Sequence, residues 1–182
     1  MKKRGAIELM VRYLLSVLLA LGNLWIFYKI FTPLTVYPVV EILNLFYSGV
    51  YLVQGITIGF NGFEVSIIPA CIAGSAYYLL TILNLITPMK KEVRLKSLCF
   101  LFGAFLLLNI IRIVFFSMLF SSGFAYFELA HKFTWYAIST AMVIAVLFAN
   151  TLIFNIREIP AYSDIKKVLG DVKKKRIDKK KK

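Results

Sequence analysis

Residues 97–120 read SLCFLFGAFLLLNIIRIVFFSMLF, an apolar run interrupted by a single charge, Arg112. A helix needs about 20 mostly apolar residues to cross the hydrocarbon core of a bilayer, so this run is long enough to span. The segment before it, Lys90-Lys91-Glu92-Val93-Arg94-Leu95-Lys96, is strongly basic. Short basic loops stay on the cytoplasmic side. Residue 97 is therefore expected at the inner face and residue 120 at the outer face.

Working outward from this run, three further spans are predicted. Residues 13–31 are broken only by Lys29 near their end, residues 71–87 lie in the uncharged stretch 65–89, and residues 133–156 carry no charge. Composition agrees with a polytopic membrane protein. The chain of 182 residues is 60% hydrophobic and 17% charged, with mean hydropathy +0.78. Soluble domains run about 45–50% apolar and about 25% charged. Disorder is excluded as well, because 16 Phe and 10 Tyr could not stay solvated. The first segment follows Lys2, Lys3, Arg4 and Arg12, as a signal peptide would. It is longer than an h-region and lacks an A-x-A site, so it is expected to be a retained anchor.

Charge placement sets the remaining topology. The formal charge of +13 sits at the ends of the apolar runs. Residues 32–70 hold Glu41 and Glu64 and no Lys or Arg, and residues 121–132 hold a single Lys. Both connections are expected outside, and both termini inside. Residues 36–53 are also apolar but contain Pro38, Glu41, Asn44 and Gly49. A span there is the alternative, and it would place the basic loop and tail outside. The expected reading is an interfacial or re-entrant helix on the outer surface. After it, β-branched stretches flank Asn61-Gly62, the strongest short hairpin signal.

The fold class expected is thus an all-α polytopic membrane protein with four transmembrane helices. An outer interfacial helix and a short outer β-hairpin precede the second span. Residues 1–156 form the membrane core and residues 157–182 a basic cytoplasmic tail. That tail suits topology and contact with anionic lipid. It is not expected to bind nucleic acid, because no aromatic platform accompanies its lysines.

Two Cys and one His are too few for a zinc cage or a disulfide framework. No metal or other cofactor is expected. Cys71 opens the second span at the outer face, where a helix N-terminus favours thiolate. Cys99 opens the third span at the inner face, nearly a bilayer away, too far for a bridge. Arg112 lies 15 residues after Ser97, about 22 Å along a helix. A charge at that depth is costly and must face a polar cavity or a partner. No expected span contains Asp or Glu to pair with it. Asn109 lies three residues earlier on the same helical face. His131, the only histidine, sits at the outer start of the fourth span, with Glu128 placed to hold one of its ring nitrogens.

Each residue alone has a plain structural reading: a buried thiol, a structural arginine, a boundary histidine. Together they converge in the outer third of the bilayer from three helices. A Cys with a nearby His is a pairing for nucleophilic catalysis, and a fixed cation beside them could stabilise an oxyanion. The reaction class is acyl transfer through a thioester. The rival reading is a non-enzymatic membrane subunit or scaffold, with Arg112 as a structural pairing residue. A channel or transporter is disfavoured by the lack of an internal repeat or ion path.

Three blocks resemble the exosortase/archaeosortase family of membrane transpeptidases. The hairpin running into Pro69-Ala70-Cys71-Ile72-Ala73-Gly74-Ser75 is similar to the family's Cys-x-x-Gly block. Asn109-Ile110-Ile111-Arg112-Ile113 is similar to its Asn-x-x-Arg block, and His131 stands at the outer start of the last span. The resemblance covers residues 49–136, and the small size looks more like the archaeal branch. It implies Cys71 as nucleophile, Arg112 as stabiliser and His131 as acid/base; Asn109, Glu128 and Ser75 are expected as supporting residues beside them. It also implies substrates anchored by a C-terminal motif, a transmembrane helix and a basic cluster. The new carboxyl end would pass to an acceptor that looks like a lipid head group.

Overall fold

The computed structural model describes residues 10–11, 13–15, 17–18 and 24–156. Both the basic N-terminal cluster and the tail 157–182 lie outside the described residues. The elements run α1 (Trp25–Phe46), β1 (Tyr51–Val53), β2 (Thr57–Phe60), β3 (Phe63–Ser66), α2 (Pro69–Ile72) and α3 (Gly74–Ile86). They continue with α4 (Lys91–Ser121), α5 (Phe127–Phe133), a π-helical turn (Thr134–Ile138) and α6 (Ser139–Ile153). Among the described residues, four helices are long and apolar enough to cross a membrane: Trp25–Phe46, Pro69–Ile86, Lys91–Ser121 and Phe127–Ile153.

The first of these overturns two expectations. Residues 13–31 are not one continuous helix, because Leu24 adopts a left-handed conformation (φ 59°) just before α1 begins. Residues 36–53 are not a separate interfacial helix either. Their first part completes α1, and Tyr51–Val53 pairs with β2. Burial explains the difference. Val36, Val39 and Leu43 are 0–1% exposed and pack into the core, whereas an interfacial helix would leave its apolar face to lipid head groups. Pro33 and Pro38 sit inside α1. Prolines are tolerated in membrane helices, where neighbouring groups re-satisfy the freed carbonyls.

The expected hairpin is present and gains a third strand. The sheet is antiparallel in the order β1-β2-β3. Asn61 (φ 51°) and Gly62 (φ 77°) form the two-residue turn between β2 and β3, as a type I′ hairpin requires. Tyr47 Oη and Ser121 Oγ lie 3.0 Å apart, which joins the end of α1 to the end of α4 beside this sheet. The bundle therefore has a sheet end and, opposite it, a loop end where residues 87–90 connect α3 to α4.

The core sits between α1, α3 and α4. Phe31 stacks on Tyr77 at 3.5 Å, and Phe102 and Phe105 meet the Tyr77 ring edge-on at 5.7 and 5.1 Å. At the loop end, Asn84 Nδ2 donates to Ser97 Oγ (2.8 Å), and Ser97 Oγ donates to Asn150 Oδ1 (2.9 Å). All three side chains are buried, so this chain of bonds ties α3, α4 and α6 together. Between apolar helices in lipid, such bonds supply association that the hydrophobic effect does not. Ser97→Ala removes both bonds and is expected to lower unfolding stability in detergent by about 1–2 kcal/mol. The sheet end should stay intact. A change too small to measure in an SDS-titration unfolding experiment would contradict this assignment.

Candidate functional site

Cys71 lies on α2, a helix of four residues whose geometry is set by its flanks. Pro69 occupies the first turn, where its missing N–H costs nothing. Ile68 before it is extended, and the Cys71 N–H bonds the Ile68 carbonyl at 2.8 Å. Ala73 is left-handed (φ 59°) and breaks the helix before α3 starts at Gly74. Gly74 is buried, and a Cβ there would come within 2.8 Å of the Tyr28 ring. The glycine of the Cys-x-x-Gly block therefore allows α1 to approach the break. Gly74→Ala forces Tyr28 to shift and is expected to cost about 1–3 kcal/mol of stability, as overpacking does. Thermal unfolding in micelles measures it; an unchanged midpoint would show that the contact is not tight.

Asn109 and Arg112 both reach the break. Asn109 Nδ2 donates to the Cys71 carbonyl at 2.9 Å, and Arg112 Nη2 donates to the same oxygen at 3.3 Å. The Asn-x-x-Arg spacing places both donors on one face of α4. Interrupted backbone at membrane depth needs such partners, because water is absent there. Arg112 Nη1 also donates to Ser139 Oγ, which in turn donates to the Thr134 carbonyl at 3.1 Å. The π-helical turn inserts one residue before Ser139 and so sets its facing toward α4. Arg112 thus bridges α2 and the start of α6 through neutral oxygens, with no carboxylate partner among the described residues.

His131 comes from α5. Its ring stacks on Phe127 at 5.5 Å with planes 16° apart, and Phe116 lies at 5.5 Å on α4. Cys71, Arg112 and His131 all line one cavity of about 430 Å³ at the sheet end, together with Glu64, Ser66, Ser117 and Thr134. Phe116, Phe120, Phe127 and Trp135 form its apolar wall. Among the described residues on the lining, Arg112 is the one permanent cation and Glu64 the one carboxylate. No direct hydrogen bond joins Cys71 to His131 among the described residues, so a bound group would have to sit between them. A cavity of this size is in the range that holds a small ligand or a few residues of peptide.

The supporting residues divide. Asn109 is fully buried behind Cys71 and positions it, and its Oδ1 has no hydrogen-bond partner among the described residues. Glu128 does not hold His131. Its carboxylate lies 3.9 Å from Lys132, one helical turn on, and both side chains are exposed. Ser75 is exposed on α3 and does not line the cavity. Cys99 is exposed on the first half of α4, toward the loop end. Ser139, Thr134, Glu64 and Ser66 were not anticipated. The available signal was the cluster of hydroxyls Thr134, Ser139 and Thr140 inside an otherwise apolar run. Among the described residues no group of three or more His, Cys, Asp or Glu is placed to hold a metal ion. Comparison with known proteins finds no matching family model, no similar curated protein and no similar solved structure.

Proposed function

We propose that the protein is a membrane cysteine transpeptidase of the exosortase/archaeosortase type. It cleaves exported proteins at a C-terminal motif that precedes a transmembrane helix and a basic tail, and hands the new carboxyl end to a lipid acceptor. The observation that carries this reading is the meeting of Cys71, Arg112 and His131 on one cavity, although they come from three separate elements.

In this reading His131 accepts the Cys71 proton and the thiolate attacks the substrate carbonyl. The tetrahedral oxyanion forms beside Arg112, whose guanidinium has donors beyond the two already engaged. Collapse breaks the C–N bond, and His131 returns the proton to the leaving amine. A thioester on Cys71 remains. The acceptor hydroxyl or amine then attacks that thioester, gives up its proton to His131, and frees the thiol.

The sheet end faces outward and both termini are cytoplasmic in this reading, in the cell membrane. Lys90 to Lys96 sit at the loop end, and Lys29 lies 4.6 Å over the Trp25 ring near the start of α1, at that same end. Cations at one end of the bundle support that orientation. A substrate helix lying alongside would keep its basic end inside and present its motif at Cys71.

The second reading, a non-catalytic scaffold, is favoured by one observation: Arg112 already holds the Cys71 carbonyl and Ser139. Membrane-impermeant maleimide applied to intact cells separates the two. Labelling of Cys71 from outside, with Cys99 protected, is the expected result. An unlabelled Cys71 would sink the enzyme reading and leave the scaffold.

A further inference from the structure

We infer that the free edge of β3 is the substrate-binding strand, and that the scissile peptide binds extended along it as a fourth strand. This inference rests on the transpeptidase reading and names how its substrate is held.

The register fixes which backbone groups are free. Phe60 and Phe63 flank a two-residue turn and therefore form a hydrogen-bonded pair. The alternation continues through Ile58 with Val65 to Ile56 with Ile67, where the Ile67 N–H bonds the Ile56 carbonyl at 2.9 Å. Phe63, Val65 and Ile67 thus point their N–H and C=O groups at β2, while Glu64 and Ser66 point theirs away. The Ser66 carbonyl is taken by the Ile68 N–H at 3.1 Å. The Glu64 N–H and C=O and the Ser66 N–H remain unpaired among the described residues. β3 is the last strand of the sheet, so no further strand covers them.

The cavity lies against this edge. A cavity over the face of a strand touches alternate residues, because side chains alternate between faces. This one is lined by Glu64, Val65, Ser66, Ile67 and Ile68 in succession, which is the footprint of an approach from the side. The same chain then runs through Pro69 and Ala70 to Cys71. A peptide paired with Glu64 and Ser66 is carried straight to the thiol. Across the groove it meets Phe116, Phe127 and His131. Natural proteins protect exposed edges with short strands, charged side chains, proline or a covering element; β3 is short and carries Glu64, yet among the described residues no lysine, proline or covering element blocks its edge, which opens on the cavity. Strand addition gives affinity through main-chain bonds and leaves specificity to alternate side chains.

The test uses the full chain in detergent and N-acetyl-tetraalanyl chloromethyl ketone, with four analogues each N-methylated at one amide. The rate of Cys71 alkylation, mapped by mass spectrometry, is divided by the rate with iodoacetamide to remove intrinsic thiol reactivity. Methylation at alternate amides should lower this ratio about ten-fold, and methylation at the amides between them less than about two-fold. Ser66→Pro deletes an N–H that faces the groove and spares the ladder to β2. It should lower the ratio for the unmethylated probe about ten-fold. A flat series overturns the inference, and so does a tetrapeptide that never alkylates Cys71 while iodoacetamide does. If Ser66→Pro fails to fold, the methylation series decides alone. Alternation without cleavage of any membrane-anchored signal would uphold the edge and sink the transpeptidase. Cleavage with a flat series would do the reverse.

Discussion

Cys71→Ser is expected to abolish signal processing, by about a thousand-fold or more, because a serine hydroxyl is hardly ionised near neutral pH without strong activation. The fold should survive. Asn109 and Arg112 hold the Cys71 backbone carbonyl and not its sulfur, so the network at the helix break does not depend on the thiol. The midpoint of thermal unfolding should therefore stay within a few degrees of wild type while processing, followed by the size shift of a co-expressed substrate, disappears. Cys99→Ser should process normally, since Cys99 lies toward the other end of α4. Full processing by Cys71→Ser would end the thioester mechanism.

Arg112→Lys is expected to lower the processing rate by about 100- to 1,000-fold, the range seen when a preorganised oxyanion donor is lost. The reason lies in the fork. The guanidinium reaches the Cys71 carbonyl through one nitrogen and Ser139 through the other. An ammonium is a point charge that cannot hold both and still present a directed donor to a third oxygen. Lysine keeps the charge, and Asn109 still satisfies the Cys71 carbonyl, so the stability loss should stay near about 1 kcal/mol. The split between kcat and KM discriminates further: a stabiliser acting in the transition state lowers kcat with KM little changed. Stability and processing rate measured on one preparation give the decision. If both fall together, Arg112 is a structural bridge and the scaffold reading stands.

Much of this architecture was legible in hydropathy and charge. Ser97 to Phe120 is a helix because an apolar run of that length, interrupted only by Arg112, has no other way to satisfy its backbone in lipid. Asn61-Gly62 made its turn because both residues tolerate positive φ. The meeting of Cys71, Arg112 and His131 followed from depth alone, since each was placed near the same end of its span. What stayed hidden turned on context. Pro33 and Pro38 read as helix stops by the rules of water, yet both lie within α1. The left-handed Leu24 just before α1 follows Gly22-Asn23 in sequence, a turn signal that the apolar length of residues 13–31 outweighed. Ser139 reaches Arg112 only after a π-helical turn adds a residue, a register change that hydropathy does not record. Glu128 had two candidate partners within one turn, His131 three residues on and Lys132 four residues on, and its carboxylate lies beside the lysine.

The central claim is a covalent thioester on Cys71, and intact-mass analysis of the enzyme tests it most directly. Purified chain is mixed with a membrane-anchored substrate from the same genome that carries a C-terminal motif, helix and basic tail, and quenched in acid during turnover. The account predicts an adduct equal in mass to the substrate's N-terminal fragment less one water. It should map to the peptide containing Cys71, be released by neutral hydroxylamine and be absent from Cys71→Ser. Substrate cleavage that proceeds with no adduct on Cys71 at any quench time, and with no hydroxamate formed when hydroxylamine is added, would contradict it.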